Sequence, residues 1–201
     1  GNVRGLELKL DYSFNSLFIQ TNYTYQFTRG NADNPAQTFN RQGSSIDKVI
    51  RFIPMSWDQR HTFNVSLGYN TEKFGATITG YYNSGTPYTF SPQGESNLAL
   101  LNLYPNNDVK PSNYHADLSG YINLPKVLGI SSKINFLIYN LTDRYNEYGV
   151  SSETGRAYTA VVNETELLSH RSNFNSYDDR YKDPSMFSSP REIKIGWTVS
   201  F

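Results

Sequence analysis

Leu6-Glu7-Leu8-Lys9-Leu10-Asp11-Tyr12-Ser13-Phe14, the connection Asn15-Ser16, and Leu17-Phe18-Ile19-Gln20-Thr21-Asn22-Tyr23-Thr24-Tyr25-Gln26-Phe27-Thr28 form the stretch on which the fold turns. In an extended chain successive side chains point to opposite sides, so residues two apart share a face. Leu6, Leu8, Leu10, Tyr12 and Phe14 then line one face, and Glu7, Lys9, Asp11 and Ser13 the other. Beyond Asn15-Ser16 the alternation resumes, with Leu17, Ile19, Tyr23, Tyr25 and Phe27 opposite Gln20, Asn22, Thr24, Gln26 and Thr28. Two such runs joined by a short Asn/Ser connection predict a β-hairpin.

The pattern recurs along the chain. Phe63, Val65, Leu67 and Tyr69 alternate with Thr62, Asn64, Ser66 and Gly68. After Asn70-Thr71-Glu72-Lys73, Phe74, Ala76, Ile78, Gly80 and Tyr82 alternate with Thr77, Thr79 and Tyr81. A third hairpin joins 114–123 to 133–141 through Leu124-Pro125-Lys126-Val127-Leu128-Gly129, although Phe136, Leu137, Ile138 and Tyr139 in succession leave its faces unresolved. The last run sets Ile193, Ile195, Trp197, Val199 and Phe201 against Glu192, Lys194, Thr198 and Ser200, for seven strands in all. Three connections are tight (15–16, 70–73 and 124–131) and three are long (29–57, 83–113 and 142–190), and the two kinds alternate strictly. Structureless loops beyond about 12–15 residues are uncommon in compact soluble domains. Outer-membrane barrels, in contrast, combine short periplasmic turns with long extracellular loops.

Composition agrees with a wall that has one face in lipid and one in water. Of 201 residues only 18% are charged, while aromatics reach 15%, with Tyr 16 and Phe 12 far ahead of Trp 2. Lys+Arg 18 balances Asp+Glu 18, so nothing points to nucleic acid. The absence of cysteine removes disulfides, thiolate metal sites and cysteine nucleophiles together. A mean hydropathy of −0.58 does not exclude a membrane, because a transmembrane strand needs only about 9–11 residues and presents alternate ones to lipid. Tyr12 and Phe14 beside the first short turn, and Tyr23, Tyr25, Phe27, Tyr81 and Tyr82 toward the long loops, suit interfacial girdles. No G-x-S-x-G, HExxH or phosphate-cradling glycine loop occurs, so no enzyme activity and no cofactor are expected.

The expectation is therefore an all-β chain, an antiparallel transmembrane β-barrel segment of about seven strands in the outer membrane of a Gram-negative bacterium. Seven strands leave two edges of bare backbone N–H and C=O groups, which hydrocarbon does not tolerate. Either a further strand lies within 142–190, for instance near 158–162, or the chain is a fragment that pairs with polypeptide outside it. The second reading is the expectation adopted.

Five motifs resemble those of TonB-dependent outer-membrane receptors. Arg4-Gly5-Leu6-Glu7 resembles an RG-x-E strand start, and Asp58-Gln59-Arg60-His61 their DQRH stretch. Ser84-Gly85-Thr86-Pro87-Tyr88-Thr89 resembles SG-x-PYT, and Asn140-Leu141-Thr142-Asp143-Arg144-Tyr145 resembles NLFD-x-Y with Thr142 in place of Phe. Pro190-Arg191-Glu192-Ile193-Lys194-Ile195-Gly196, ending on Phe201, is similar to the family's terminus. The resemblance spans nearly the whole chain in the correct order. It implies that residues 1–201 form the C-terminal end of a 22-stranded barrel, with the plug domain and coupling box absent from these residues. It also implies active nutrient uptake driven by the inner-membrane TonB complex. Implied partners are the outer-membrane bilayer, the rest of the barrel and its plug, the barrel-assembly machinery, a surface lipoprotein, and a substrate that the residues do not identify.

In that family the terminal strand is read by the assembly machinery, a role that here falls on Ile195, Trp197, Val199 and Phe201. Its physical basis would be β-augmentation, with backbone hydrogen bonds along an edge and alternate side chains in pockets. Substrate contacts are expected on the long loops, with Tyr88, Arg144, Tyr145, Tyr177, Arg180 and Tyr181 as candidates. Carboxylates at 177–183 and at Asn31-Ala32-Asp33-Asn34 could in principle hold calcium. Their mixed charge and neighbours favour solvated, self-paired loops instead. His61, His115 and His170 lie on separate segments and give no metal motif, so no metal is expected. Two other functions fit parts of the pattern: a non-transport outer-membrane barrel such as an adhesin, and a soluble carbohydrate-binding β-sandwich. The sandwich requires an apolar core between two sheets.

Overall fold

The computed structural model describes residues 1–34, 52–90, 105–157 and 184–200. The candidates Tyr177, Arg180, Tyr181 and Phe201, the extra strand near 158–162, His170 and the carboxylates of 177–183 lie outside the described residues.

Among the described residues ten strands follow one another: β1 (Asn2–Phe14), β2 (Leu17–Gly30), β3 (Ile53–Pro54), β4 (His61–Asn70) and β5 (Phe74–Asn83). Then come β6 (Pro87–Tyr88), β7 (Asp108–Val109), β8 (Asn113–Val127), β9 (Ile130–Tyr139) and β10 (Glu192–Ser200). The seven long strands form one antiparallel sheet in the order β1-β2-β4-β5-β8-β9-β10. Each long strand thus pairs with the next long strand along the sequence. The short β3 folds back onto the end of β2, and β6 and β7 pair with each other. The sheet is open, with β1 and β10 as its edges.

Register explains why period two governs the sequence. Residues directly opposite in an antiparallel pair share a face. Tyr12, Ile19, Leu67, Ile78, Leu118, Ile138 and Ile193 therefore form a single row across all seven long strands. A second apolar row runs through Phe14, Leu17, Tyr69, Ala76, Gly120, Phe136 and Ile195. The other face is polar, with rows Asp11, Gln20, Ser66, Thr79, Asp117 and Lys9, Asn22, Asn64, Tyr81, His115. The ambiguous run 133–141 resolves in the same way: Ile134, Phe136 and Ile138 join the apolar face. Leu137 is the exception, lying on the polar face between Ser119 and Lys194.

Two expectations need correction. Tyr81 is not a girdle residue, because it neighbours Tyr82 on a strand and so points to the polar face, opposite His115. The third connection is not 124–131 but the two residues Leu128-Gly129, since β8 continues to Val127 and β9 starts at Ile130. Both turn residues have positive φ, 51° and 86°, the primed-turn geometry that suits a twisted hairpin. Pro125 made this segment read as a break. It lacks an N–H to donate, and a register shift between Leu124 and Val127 lets the ladder pass it.

The distribution of burial inverts that of a soluble domain. Among the described residues the only buried apolar side chains are Ile53, Met55, Pro87 and Ala157, all outside the long strands. The most enclosed large side chains are Asn140, Asn146 and Asp58. Even in the middle of the sheet, Leu67 and Ile78 stay 42% and 41% exposed on the apolar face.

Candidate functional site

Two regions concentrate polar chemistry: the ends of the strands where the long connections leave, and a patch in the middle of the polar face. The first is built on three buried polar side chains. Asp58 accepts hydrogen bonds from the Thr28 backbone N–H at 2.8 Å and from Arg60 Nε at 2.9 Å. It therefore ties the residues before β4 to the end of β2, while the Arg60 guanidinium covers the Phe27 ring at 4.1 Å.

Asn140, at φ 51°, ends β9. Its Nδ2 donates to the Arg144 and Ser189 carbonyls at 2.9 Å each, and its Oδ1 accepts from the Arg144 N–H at 3.1 Å. Its own N–H reaches Asp117 Oδ1 on β8 at 2.9 Å. Asn146 lies beside Tyr114, donating to its carbonyl at 2.8 Å and accepting from its N–H at 3.1 Å, so a side-chain amide takes the place of a neighbouring strand's backbone. Asn tolerates the left-handed backbone region and carries both a donor and an acceptor, which is what a turn that binds two segments demands.

The motifs singled out in the sequence map onto these junctions. Ser84 Oγ accepts the His61 N–H at 2.9 Å, and a side chain at Gly85 would collide with the Lys110 carbonyl. Arg191 pairs with Asp143 at 3.0 Å, joining the start of β10 to the end of β9. The backbone N–H of Arg191 and then its guanidinium hold the Asp143 carboxyl below the usual carboxylate range.

Arg144, a candidate substrate contact, donates to Tyr114 Oη at 2.6 Å and to Asn146 Oδ1 at 3.1 Å. Its guanidinium also lies 4.0 Å from the Tyr114 ring centroid. It is committed to the end of β8. Tyr88 donates to Asp108 at 3.0 Å across the β6–β7 pair, and burial followed by that carboxylate pushes its hydroxyl up to about 12. Tyr145 stays 55% exposed, edge-on to Phe187. Asp33, weighed as a calcium ligand, accepts from Asn106 Nδ2 and from the Ser56 N–H, and so holds two loop segments together.

On the polar face, Tyr81 stacks on His115 at 5.5 Å and meets the Tyr148 hydroxyl at 3.2 Å. His115 Nε2 contacts Asp117. Lys9 and Asp11 pair at 2.9 Å on the same open face, beside Asn22, Asn64 and Thr79. These groups donate, accept and stack, and so can bind a polar ring or peptide. Sequence reading missed the cluster because Tyr81, His115 and Tyr148 come from three separate segments. The alternation already placed Tyr81 opposite Tyr82, and that was the available signal. His61 lies on the other face, with Tyr23 Oη at 2.9 Å from its Nδ1, so it cannot share a ligand with His115.

The terminal strand places Ile195 and Trp197 on the apolar face, 76% and 72% exposed, with Val199 in the same alternation. Their outer edge carries no neighbouring strand among the described residues. Comparison with protein-family models, with curated proteins and with solved structures gave no match to this chain.

Proposed function

We propose that the chain is part of the wall of an outer-membrane β-barrel, with its apolar face in lipid and its polar face on an aqueous lumen. The barrel would be a receptor that takes up a nutrient by energy coupling through the TonB complex. The observation that carries the wall is the pair of apolar rows that runs across all seven long strands, opposite a mainly polar face, with no layer over the apolar rows among the described residues. A face of that width is stable only against lipid or another apolar surface. A carbohydrate-binding sandwich would enclose such rows between two sheets, and among the described residues the second sheet is only the two-residue pair β6–β7.

The edges add a geometric argument for further strands. With seven antiparallel strands, β1 and β10 run in the same direction, so sealing them directly would require a parallel seam. An even-numbered barrel, with every edge paired, needs additional polypeptide between them. The receptor role is supported by the five motifs. Four of them supply the polar junctions at the loop ends, where loop geometry for a ligand would be set.

Detergent dependence tests the wall. The protein should leave membranes only with detergent and migrate as a heat-modifiable band, and a detergent-free monodisperse monomer would overturn it. The receptor role is tested by deleting the encoding gene. Energy-dependent uptake of at least one scarce nutrient should fall to the level of a TonB-deficient strain, and unchanged uptake across a broad nutrient panel would leave a non-transport barrel.

A further inference from the structure

We propose that the loop-side end of the apolar face on β1–β2 is a binding site for a phosphate-bearing membrane lipid, clasped by Arg4 and Arg29. The inference rests on the reading of this sheet as a membrane wall. On that face the β1–β2 register runs Phe14–Leu17, Tyr12–Ile19, Leu10–Thr21, Leu8–Tyr23, Leu6–Tyr25, Arg4–Phe27 and Asn2–Arg29. Above Phe14 and Tyr12 at the short turn, reading upward from Leu10, aliphatic residues give way to the aromatics Tyr23, Tyr25 and Phe27 and then to two cations. That is the order of acyl chain, interface and headgroup in one leaflet.

The depth agrees. Arg4 stands ten positions from Phe14. At about 3.4 Å per residue and a strand tilt near 40°, this is about 26 Å along the membrane normal, against an apolar band of about 25 Å.

The two guanidiniums are diagonal neighbours on one face. Arg4 Nε donates to Asn2 Oδ1 at 3.1 Å, and among the described residues neither arginine is paired with a carboxylate. Two other arginines at this end are committed: Arg60 to Asp58, and Arg144 to Tyr114 and Asn146. Between Arg4 and Arg29 lies a groove of about 680 Å³ floored by Leu6, Tyr25 and Phe27 and flanked by Phe52. Tyr25 and Phe27 meet edge to face at 4.9 Å, which gives the groove a firm aromatic wall. Paired guanidiniums present the donor geometry of a phosphate clamp. A free anion would leave Leu6 and Phe52, 54% and 53% exposed, uncovered. A lipid satisfies both parts, its phosphate on the arginines and its acyl chain along Leu6 and Leu8.

The test uses the full-length protein in detergent, titrated with phosphatidic acid and followed by native mass spectrometry. A single-lipid adduct is expected, which Arg4→Gln with Arg29→Gln weakens at least about tenfold and which Arg4→Lys with Arg29→Lys partly retains. Diacylglycerol with the same acyl chains should not form it. Retained heat-modifiability shows that the variants fold. Equal adducts on wild type and the Gln double variant, or displacement by inorganic phosphate at concentrations comparable to the lipid's, would overturn the lipid site. A protein that needs no detergent fails the wall reading itself, whereas one that needs detergent but ignores the arginines fails only this site.

Discussion

Asn140 sits where β9 leaves the sheet, with a positive φ and a side chain 1% exposed. Replacing it with Ala would orphan the Ser189 and Arg144 carbonyls and remove the side-chain amide that makes asparagine tolerant of this left-handed backbone. Each buried group left unpaired costs about 1–3 kcal/mol. We predict that Asn140→Ala lowers stability by about 2–3 kcal/mol, read as a lower urea midpoint in detergent, with strand content preserved in far-UV circular dichroism. Glu147 offers a second residue-scale outcome. Its carboxylate receives Arg156 Nε at 3.0 and 3.1 Å and the Ala157 N–H at 2.7 Å. The Arg156 bond holds its pKa down, outweighing desolvation. A depressed carboxyl stabilises above its unfolded value and loses that contribution as pH falls through the folded value. Glu147→Gln should therefore be less stable than wild type at pH 7, and the gap should close as pH drops below about 4.3. The motif holding Asn140 was visible in the sequence, but its burial was not. Enclosure of an asparagine depends on Ser189, 49 positions away, folding back over it.

At the scale of strands, alternation carried most of the information. The faces of every long strand but β9 were legible, because consecutive side chains must separate to two sides, one apolar and one polar. Those of β9 were not, since Leu137 breaks the alternation and only its neighbours Ser119 and Lys194 reveal which side it takes. The turn at Leu128-Gly129 was hidden by Pro125, a residue that normally ends a strand and here sits in a bulge. Adjacent positions on β5 make the two-solvent account testable. Ile78 lies in the apolar row and Thr79 in the polar one. Ile78→Arg should cost about 2–4 kcal/mol and Thr79→Arg little, because only the first places a cation in hydrocarbon. Equilibrium unfolding of both variants in lipid vesicles checks this, and equal costs would contradict the assignment of faces.

Across the whole molecule, the proposed wall sets the two tryptophans in opposite environments. Trp197 stands on the apolar face of β10, and Trp57 lies next to Asp58 in the loop segment before β4. In vesicles of brominated lipid, Trp197 emission should be strongly quenched. The Trp197→Phe variant should leave an emission that iodide, not bromolipid, reaches. At this scale the sequence showed a two-faced antiparallel sheet and the spacing of its connections. The buried junctions and the Tyr81–His115 cluster could not be read from it, because each needs segments brought together by the register of the whole sheet. The inverted burial carries one more consequence, and it is calorimetric. Heat-capacity gain on unfolding comes from wetting apolar surface, about 12–15 cal/mol/K per residue in soluble domains. Ile53, Met55, Pro87 and Ala157 are the only apolar side chains hidden within the described protein itself. If this chain melts while its apolar face stays in a micelle, the heat capacity should barely change across the transition. A differential scan would then show a peak with level baselines, because those side chains keep the micelle as their solvent and meet no new water.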